Sequence, residues 1–339
     1  MKDLPLLPTM GVGSYAAPGW FIAFRQKMRD GSAGEADIRE ALDDATRIAI
    51  SDQIDAGLDI LTDGELRRQR FVYEMFDQVE GLNRIMPDRK IGVPGYDMAP
   101  HFETVDQIHA PNGFGVLEDF KALRDLAPNR VLKVAIPGPL TFAMPLQTGR
   151  RNTADVLDEI VTMVRDELAA LANAGATYIQ LDEPALPHPP LGLDLSDAAA
   201  LINRTADGFS GKVGVHVCFG NNAGRPFADR RFDRIMGAME ALNCDQLVLE
   251  FANRQMADIE LLGPLSDKFE IAAGVVDVKN FHLESAEDVA ARIRRCLEFM
   301  PPEKLTITGD CGFSALPRYL ARQKMQAMVA GARAVRESL

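Results

Sequence analysis

The chain has 339 residues, 47% of them hydrophobic, and a formal net charge of −12. That is ample material for a large core, and so acidic a chain repels phosphate backbones and anionic lipid surfaces, so neither nucleic acid nor membrane is an expected partner. No apolar run approaches the roughly 18 residues that span a bilayer. The start, Met1-Lys2-Asp3-Leu4-Pro5, lacks the charged-then-apolar layout of a secretory leader, which points to the cytoplasm.

In chain order, a short strand is expected just before Gly13. Apolar positions at Ile38, Ala41, Leu42, Ala45, Ile48 and Ala49 then mark a helix over residues 36–56. A strand at 58–62 follows, and the segment 102–108 reads as another, with a weaker pattern. Beyond it the pattern predicts strands at 131–136, 177–181, 213–217, 246–251, 271–276 and 305–308. Helical periodicity covers 152–174, 197–209, 232–242, 285–299 and 317–337. Short β-branched runs alternating with longer helical segments are the signature of βα units and a parallel sheet. No Gly-x-Gly-x-x-Gly follows an early strand to argue for a dinucleotide fold. The expected architecture is therefore an α/β fold, a (β/α)8 TIM barrel, in one domain over residues 1–339.

Four cysteines are too few for a disulfide scaffold in a chain of this length. Cys296 shares an apolar helical pattern with Ile293, Leu297 and Met300 and reads as a packed thiol. Cys244 falls in a turn before a strand and receives no role. Cys218 and Cys311 lie at strand ends, together with Asp63-Gly64-Glu65, Asp182-Glu183-Pro184, His216, Glu250 and Asp310. In a barrel, the carboxyl ends of the strands line the active-site face.

His216 and Cys218 are two residues apart on an expected strand, so they point to one face. Glu250 ends the next strand and Cys311 the last. A histidine, two thiols and a carboxylate suit Zn2+, which favours tetrahedral sites of mixed N, S and O ligands. Each feature alone is as readily core packing or a loop hydrogen bond. Zinc would matter for sulfur chemistry: a free thiol titrates at about 8.5, and coordination strips its proton. A thiolate-rich site keeps a substrate sulfur nucleophilic, which suits alkylation of a thiol better than hydrolysis.

Several pieces in this order carry a resemblance: Val12-Gly13-Ser14, Asp63-Gly64-Glu65, Gly138-Pro139-Leu140-Thr141, the run Ile179-Gln180-Leu181-Asp182-Glu183-Pro184-Ala185-Leu186, His216-Val217-Cys218, Leu249-Glu250, Gly274-Val275-Val276-Asp277 and Asp310-Cys311-Gly312. The sequence resembles the cobalamin-independent methionine synthase family, in its C-terminal catalytic barrel, over nearly the whole chain. The resemblance implies zinc on His216, Cys218, Glu250 and Cys311. It also implies that Ser14, Glu65 and Asp182 hold the amino-acid part of homocysteine, with Glu183 beside them as a further substrate-side carboxylate.

The departures bear on the methyl donor. The second, N-terminal barrel of the full-length synthases has no counterpart here. Pro145 stands where those enzymes carry a folate-stacking tryptophan after the Gly-Pro loop, and the one tryptophan, Trp20, lies near the loop of the first strand. Lys279 replaces the histidine expected two residues past the Gly-Val-x-Asp motif. An amine leaving group needs a proton, which makes Asp277 and Lys279 donor-side candidates. A surface or salt-bridged Lys279 is an equal alternative.

The sequence therefore implies a zinc-dependent enzyme that methylates a thiol, homocysteine above others. The donor is a methyl-folate, a corrinoid or another alkyl carrier, with a corrinoid protein as a conceivable partner. The run His216-Val217-Cys218-Phe219-Gly220-Asn221 is also similar to the epoxyalkane:coenzyme M transferases. In that reading Arg67, Arg68 and Arg70 meet a sulfonate instead of solvent, although Glu65 and Asp182 favour a thiol bearing an ammonium. A non-catalytic zinc module is a third reading, and the scatter of the ligands over separate strand ends argues against it.

Overall fold

The structure, a computed structural model, describes residues 4–68, 72–86, 100–221 and 224–339. Helix α1 (Gly19–Arg29) precedes α2 (Glu35–Ala56), which opens on Glu35 and Asp37 and stops at Gly57, whose φ of 85° supplies the left-handed C-cap. Strand β1 (Ile60–Leu61) is the short remnant of the 58–62 run. Strands β2 (Glu80–Ile85) and β3 (His101–His109) form an antiparallel pair. The weak 102–108 pattern is thus a strand, but one paired outside the parallel set. Helix α3 (Val116–Leu126) follows. The 131–136 run becomes β4 (Val131–Leu132) and β5 (Val134–Pro137), broken at Lys133, whose buried Nζ donates to the Gly11 carbonyl at 2.8 Å.

Next come α4 (Pro139–Ala143), β6 (Leu146–Gln147), α5 (Thr153–Asn173), β7 (Tyr178–Asp182), α6 (Leu195–Ala206) and β8 (Lys212–Val217). They are followed by α7 (Met236–Glu240), β9 (Gln246–Glu250), α8 (Leu262–Lys268), β10 (Glu270–Val276), α9 (Ala286–Leu297), β11 (Leu305–Gly309) and α10 (Arg318–Arg336). The helix expected over 232–242 is a 3-10 turn, Phe232–Ile235, running into the five residues of α7. Among the described residues, no helix is long and apolar enough to cross a membrane.

The chain divides into two compact units, each assembled from separated segments. The first comprises Met1–Gln69, Asp119–Ala135 and Gln246–Leu339. In it β9, β10 and β11 run parallel, with Ile271 opposite both Leu247 and Leu305. The strand expected before Gly13 is reduced to two parallel bridges, Thr9 to Ile307 and Met10 to Ile60. All of β10 from Ile271 to Val276 is buried, as a strand covered on both faces must be. Helices α9 and α10 pack tightly: a Cβ on Gly331 would lie 2.7 Å from Val289, so only glycine allows this approach. Cys296 is fully buried in α9, and burial pushes its thiol up to about 12, the packed thiol expected.

The second unit comprises Arg70–Glu118 and Ile136–Asp245. Here β7 and β8 are parallel neighbours, with Asp182 opposite His216 at their ends. Helix α5 buries Val156, Ile160, Val164 and Leu168 in this unit's core, where apolar burial stabilises by about 25 cal/mol per Å2. The β2–β3 pair is held by the Phe76–Phe102 ring stack at 4.3 Å and by Glu159, which accepts from the Ile108 N–H at 2.9 Å.

Candidate active site

In the second unit, β7 ends on Asp182 and β8 leads into His216 and Cys218, all buried. His216 Nδ1 lies 2.9 Å from Asp182 Oδ1, and the same oxygen accepts from Gln180 Nε2 at 2.7 Å. A carboxylate only accepts, so Nδ1 carries a proton, and a neutral ring then has its lone pair on Nε2. This is the arrangement that orients a metal-ligating histidine and fixes its tautomer. The ligand atoms of His216 and Cys218 lie within 4.8 Å of each other, close enough for one ion to take both. Asp182 Oδ2 takes no hydrogen bond among the described residues.

Glu183 departs from expectation. Its carboxyl is fully buried and accepts from the Leu140 and Thr141 N–H groups at 3.0 Å each, at the start of α4. The Thr141 hydroxyl contacts both Glu183 Oε2 and the Asp182 carbonyl. A Cβ on Gly138 would lie 2.2 Å from Glu183 Oε1, which explains the glycine of the Gly-Pro loop. Burial pushes the Glu183 carboxyl up to about 8 against these donors, with the Asp182 charge adding to the rise. Glu183 therefore braces the loop at the start of α4.

In the first unit, Ser14 and Glu65 come together with the loops around them. The Tyr15 N–H donates to the Gly64 carbonyl at 2.8 Å, and a Cβ on Gly13 would lie 2.2 Å from Glu65 Oε1. Glu65 holds φ at 56°, a left-handed conformation that costs a non-glycine residue about 1–2 kcal/mol. Asp63 Oδ2 accepts from its N–H at 3.1 Å. Ser14 Oγ meets Ser314 Oγ at 3.1 Å, and the Ser14 carbonyl accepts from the Phe313 N–H at 2.7 Å, next to Cys311-Gly312. Arg67 pairs with Asp43 and Asp119. Arg68, buried, bonds the Ala135 carbonyl and lies near Asp119. Arg70 lies outside the described residues.

Glu250 at the end of β9 is fully buried, and its Oε2 is 2.5 Å from Lys279 Nζ. Lys279 is thus the salt-bridged lysine of the two readings. Asp277 accepts from the Lys279 N–H at 2.8 Å and from the side-chain amides of Asn253 and Asn280, so it organises its own turn.

The structure adds roles that the sequence reading did not assign. Asp310, beside Cys311, accepts from the N–H groups of Phe251, Ala252 and Asn253, and burial followed by the Glu250 and Asp277 charges raises its carboxyl well above the usual range. Lys324 is wholly buried and donates to the Asp277 carbonyl and to Glu284 Oε2, both at 2.7 Å. Burial would raise the Glu284 carboxyl, but the Lys324 ammonium and the Asp277 N–H outweigh it and hold it low. Finally, Asp52 accepts from the Tyr15 hydroxyl and from Arg318. The burial that gives these polar residues their roles leaves no mark in hydrophobic periodicity.

A sequence-family model described as the catalytic domain of the cobalamin-independent synthase matches residues 7–334. The chain belongs to the cobalamin-independent methionine synthase family. It is 33% identical to the methionine synthase of Pyrococcus abyssi over 338 residues, 99% of this chain and 95% of that protein. To the methionine synthase of Saccharolobus solfataricus it is 33% identical over 340 residues, 100% and 98% of the two chains. Among solved structures, a B12-independent methionine synthase from Shewanella sp. W3-18-1, in complex with selenomethionine, matches with a TM-score of 0.82 at 26% identity, over 98% of this chain and 99% of that one. The fold class is accordingly α/β of the TIM-barrel type, and the family is one of methyltransferases.

Proposed function

We propose that this protein methylates the sulfur of homocysteine to give methionine, using one zinc ion held by His216, Cys218, Glu250 and Cys311. The observation that carries this reading is the Asp182–His216 pair, which orients an imidazole whose ligand atom lies within 4.8 Å of the Cys218 sulfur. The donor set of imidazole, thiolates and carboxylate fits zinc. Selenomethionine in the Shewanella relative, a close analogue of the methylated product, supports the choice of thiol.

Zinc, when bound, would supply the Lewis acidity that keeps the substrate sulfur deprotonated at neutral pH. The chain's own residues do the rest. Asp182, whose Oδ2 takes no hydrogen bond among the described residues, and Glu65, held at a strained backbone, draw in the substrate ammonium. Ser14 and the N–H groups around it receive the carboxylate. In the transfer, the sulfur lone pair forms the new S–CH3 bond while the bond from methyl to donor breaks, and an amine donor takes up a proton as it leaves. The donor is a methyl carrier activated for displacement, with Asp277 on its side of the site. The chain works as a single domain in this reading, and one family model spanning both units supports that.

The zinc is tested by metal analysis. Purified protein should hold about one zinc per chain, as a four-ligand site requires, and Cys311→Ser should lose it. Full retention in that variant removes Cys311 from the site.

A further inference from the structure

Lys279 and Glu250 form an ion pair whose side chains are both fully buried. Glu250 ends β9, and Lys279 stands on the turn after β10. That turn is fixed from several directions. Asp277 accepts from the Lys279 N–H, the Asp277 N–H donates to Glu284, and Lys324 clamps both the Asp277 carbonyl and Glu284. Lys279 therefore reaches Glu250 from a rigid base and is not a surface lysine folded inward by chance. The carboxyls of Glu250, Asp277 and Asp310 crowd this region, and Lys279 is set among them.

The charges matter if Glu250 is a metal ligand. A divalent ion with two thiolates and a neutral histidine is neutral as a group. A bound carboxylate makes it −1, and an incoming thiolate would make it −2, a costly charge in a dry site. An ammonium already seated on the carboxylate offers it a second partner.

Building on the zinc reading above, we propose that Lys279 is a positioning residue that competes with the metal for the Glu250 carboxylate, weakening that fourth bond and opening the position to the substrate thiol. Lys279 already occupies Oε2 of the carboxylate that a zinc ion would need as a ligand. A lysine here lowers the affinity of the apoprotein for the cation and raises the affinity of the loaded protein for thiol.

The test compares wild type with Lys279→Met and Lys279→Arg. Zinc affinity is measured by competition with a chromophoric chelator, and homocysteine binding to the zinc-loaded protein by calorimetry. Removing the charge should tighten zinc at least about tenfold and weaken homocysteine by a similar factor, while Lys279→Arg stays within about threefold of wild type on both. A lysine with only a structural role gives a different pattern, because a loosened site weakens both ligands. Lys279→Gln keeps a hydrogen bond to Oε2 without the charge and serves where Lys279→Met fails to fold, with the same expectations. Unchanged or weakened zinc binding in the charge-neutral variant overturns the proposal. Wild type that takes up no zinc overturns it together with the zinc reading, whereas zinc uptake by wild type with an unmoved variant overturns it alone.

Discussion

Replacing Asp182 by Asn separates two jobs held by one side chain. Oδ1 accepts from His216 at 2.9 Å and from Gln180 at 2.7 Å, whereas Oδ2 is unengaged among the described residues. An asparagine with its carbonyl in the Oδ1 position keeps both of those bonds and loses only the charge. A hydrogen bond to a charged group is worth about 1.5–3 kcal/mol and a neutral one about 1 kcal/mol. His216 thus loses about 0.5–2 kcal/mol of support, and zinc affinity should fall roughly tenfold, the lower end for losing a ligand's outer partner. A substrate ammonium at Oδ2 fares worse, since it exchanges a carboxylate for an NH2 donor. Breaking a buried charge pair in this way costs about 2–4 kcal/mol, roughly 30- to 1,000-fold in affinity. Calorimetry on the zinc-saturated variant, with homocysteine against 4-mercaptobutanoate, isolates the second effect, because the two thiols differ only in the amino group. An equal loss for both ligands refutes the assignment of Asp182 to the ammonium.

Two further predictions concern the scaffold. Lys324→Met strips a buried ammonium from Glu284 and two carbonyls, and leaving a buried acid without its cation should cost about 3–5 kcal/mol in urea unfolding. A loss under about 1 kcal/mol would contradict the clamp. Glu183 is raised to about 8 in the folded protein from an ordinary 4.5, so between those values the folded state holds a proton that the unfolded state has lost. Stability should therefore fall as pH rises from about 5 to 8 and level off above, by at most about 1.4 kcal/mol per pH unit. Glu183→Gln lacks this slope. A difference between the two proteins that stays constant across that range contradicts the raised carboxyl.

Much of the parallel framework was legible, because β7, β8, β9, β10 and β11 are buried runs whose β-branched residues stand out between amphipathic helices. The short strand expected before Gly13 is present only as two bridges, at Thr9 and Met10. Strand β2 was missed: Glu80-Gly81-Leu82-Asn83-Arg84-Ile85 is largely exposed and has no apolar alternation. At the site, the two-residue spacing of His216 and Cys218 identified their common face. The same motif reading set Glu183 beside Asp182 as a substrate residue. Adjacent residues on a strand point to opposite faces, and Glu183, just beyond the end of β7, turns to the α4 cap. Whether Lys279 stood in solvent or in an ion pair depended on Glu250, 29 residues away. No local pattern records such a pairing.

Thiol selectivity tests the proposed reaction most directly. Zinc-loaded protein is titrated with homocysteine, coenzyme M and glutathione by calorimetry in buffers of different ionisation enthalpy, so that proton release is read with affinity. Homocysteine alone should bind, releasing about one proton per thiol as the sulfur enters as thiolate. Binding of coenzyme M in preference to homocysteine would contradict the amino-acid pocket of Ser14, Glu65 and Asp182 and move the chemistry to a sulfonate-bearing thiol.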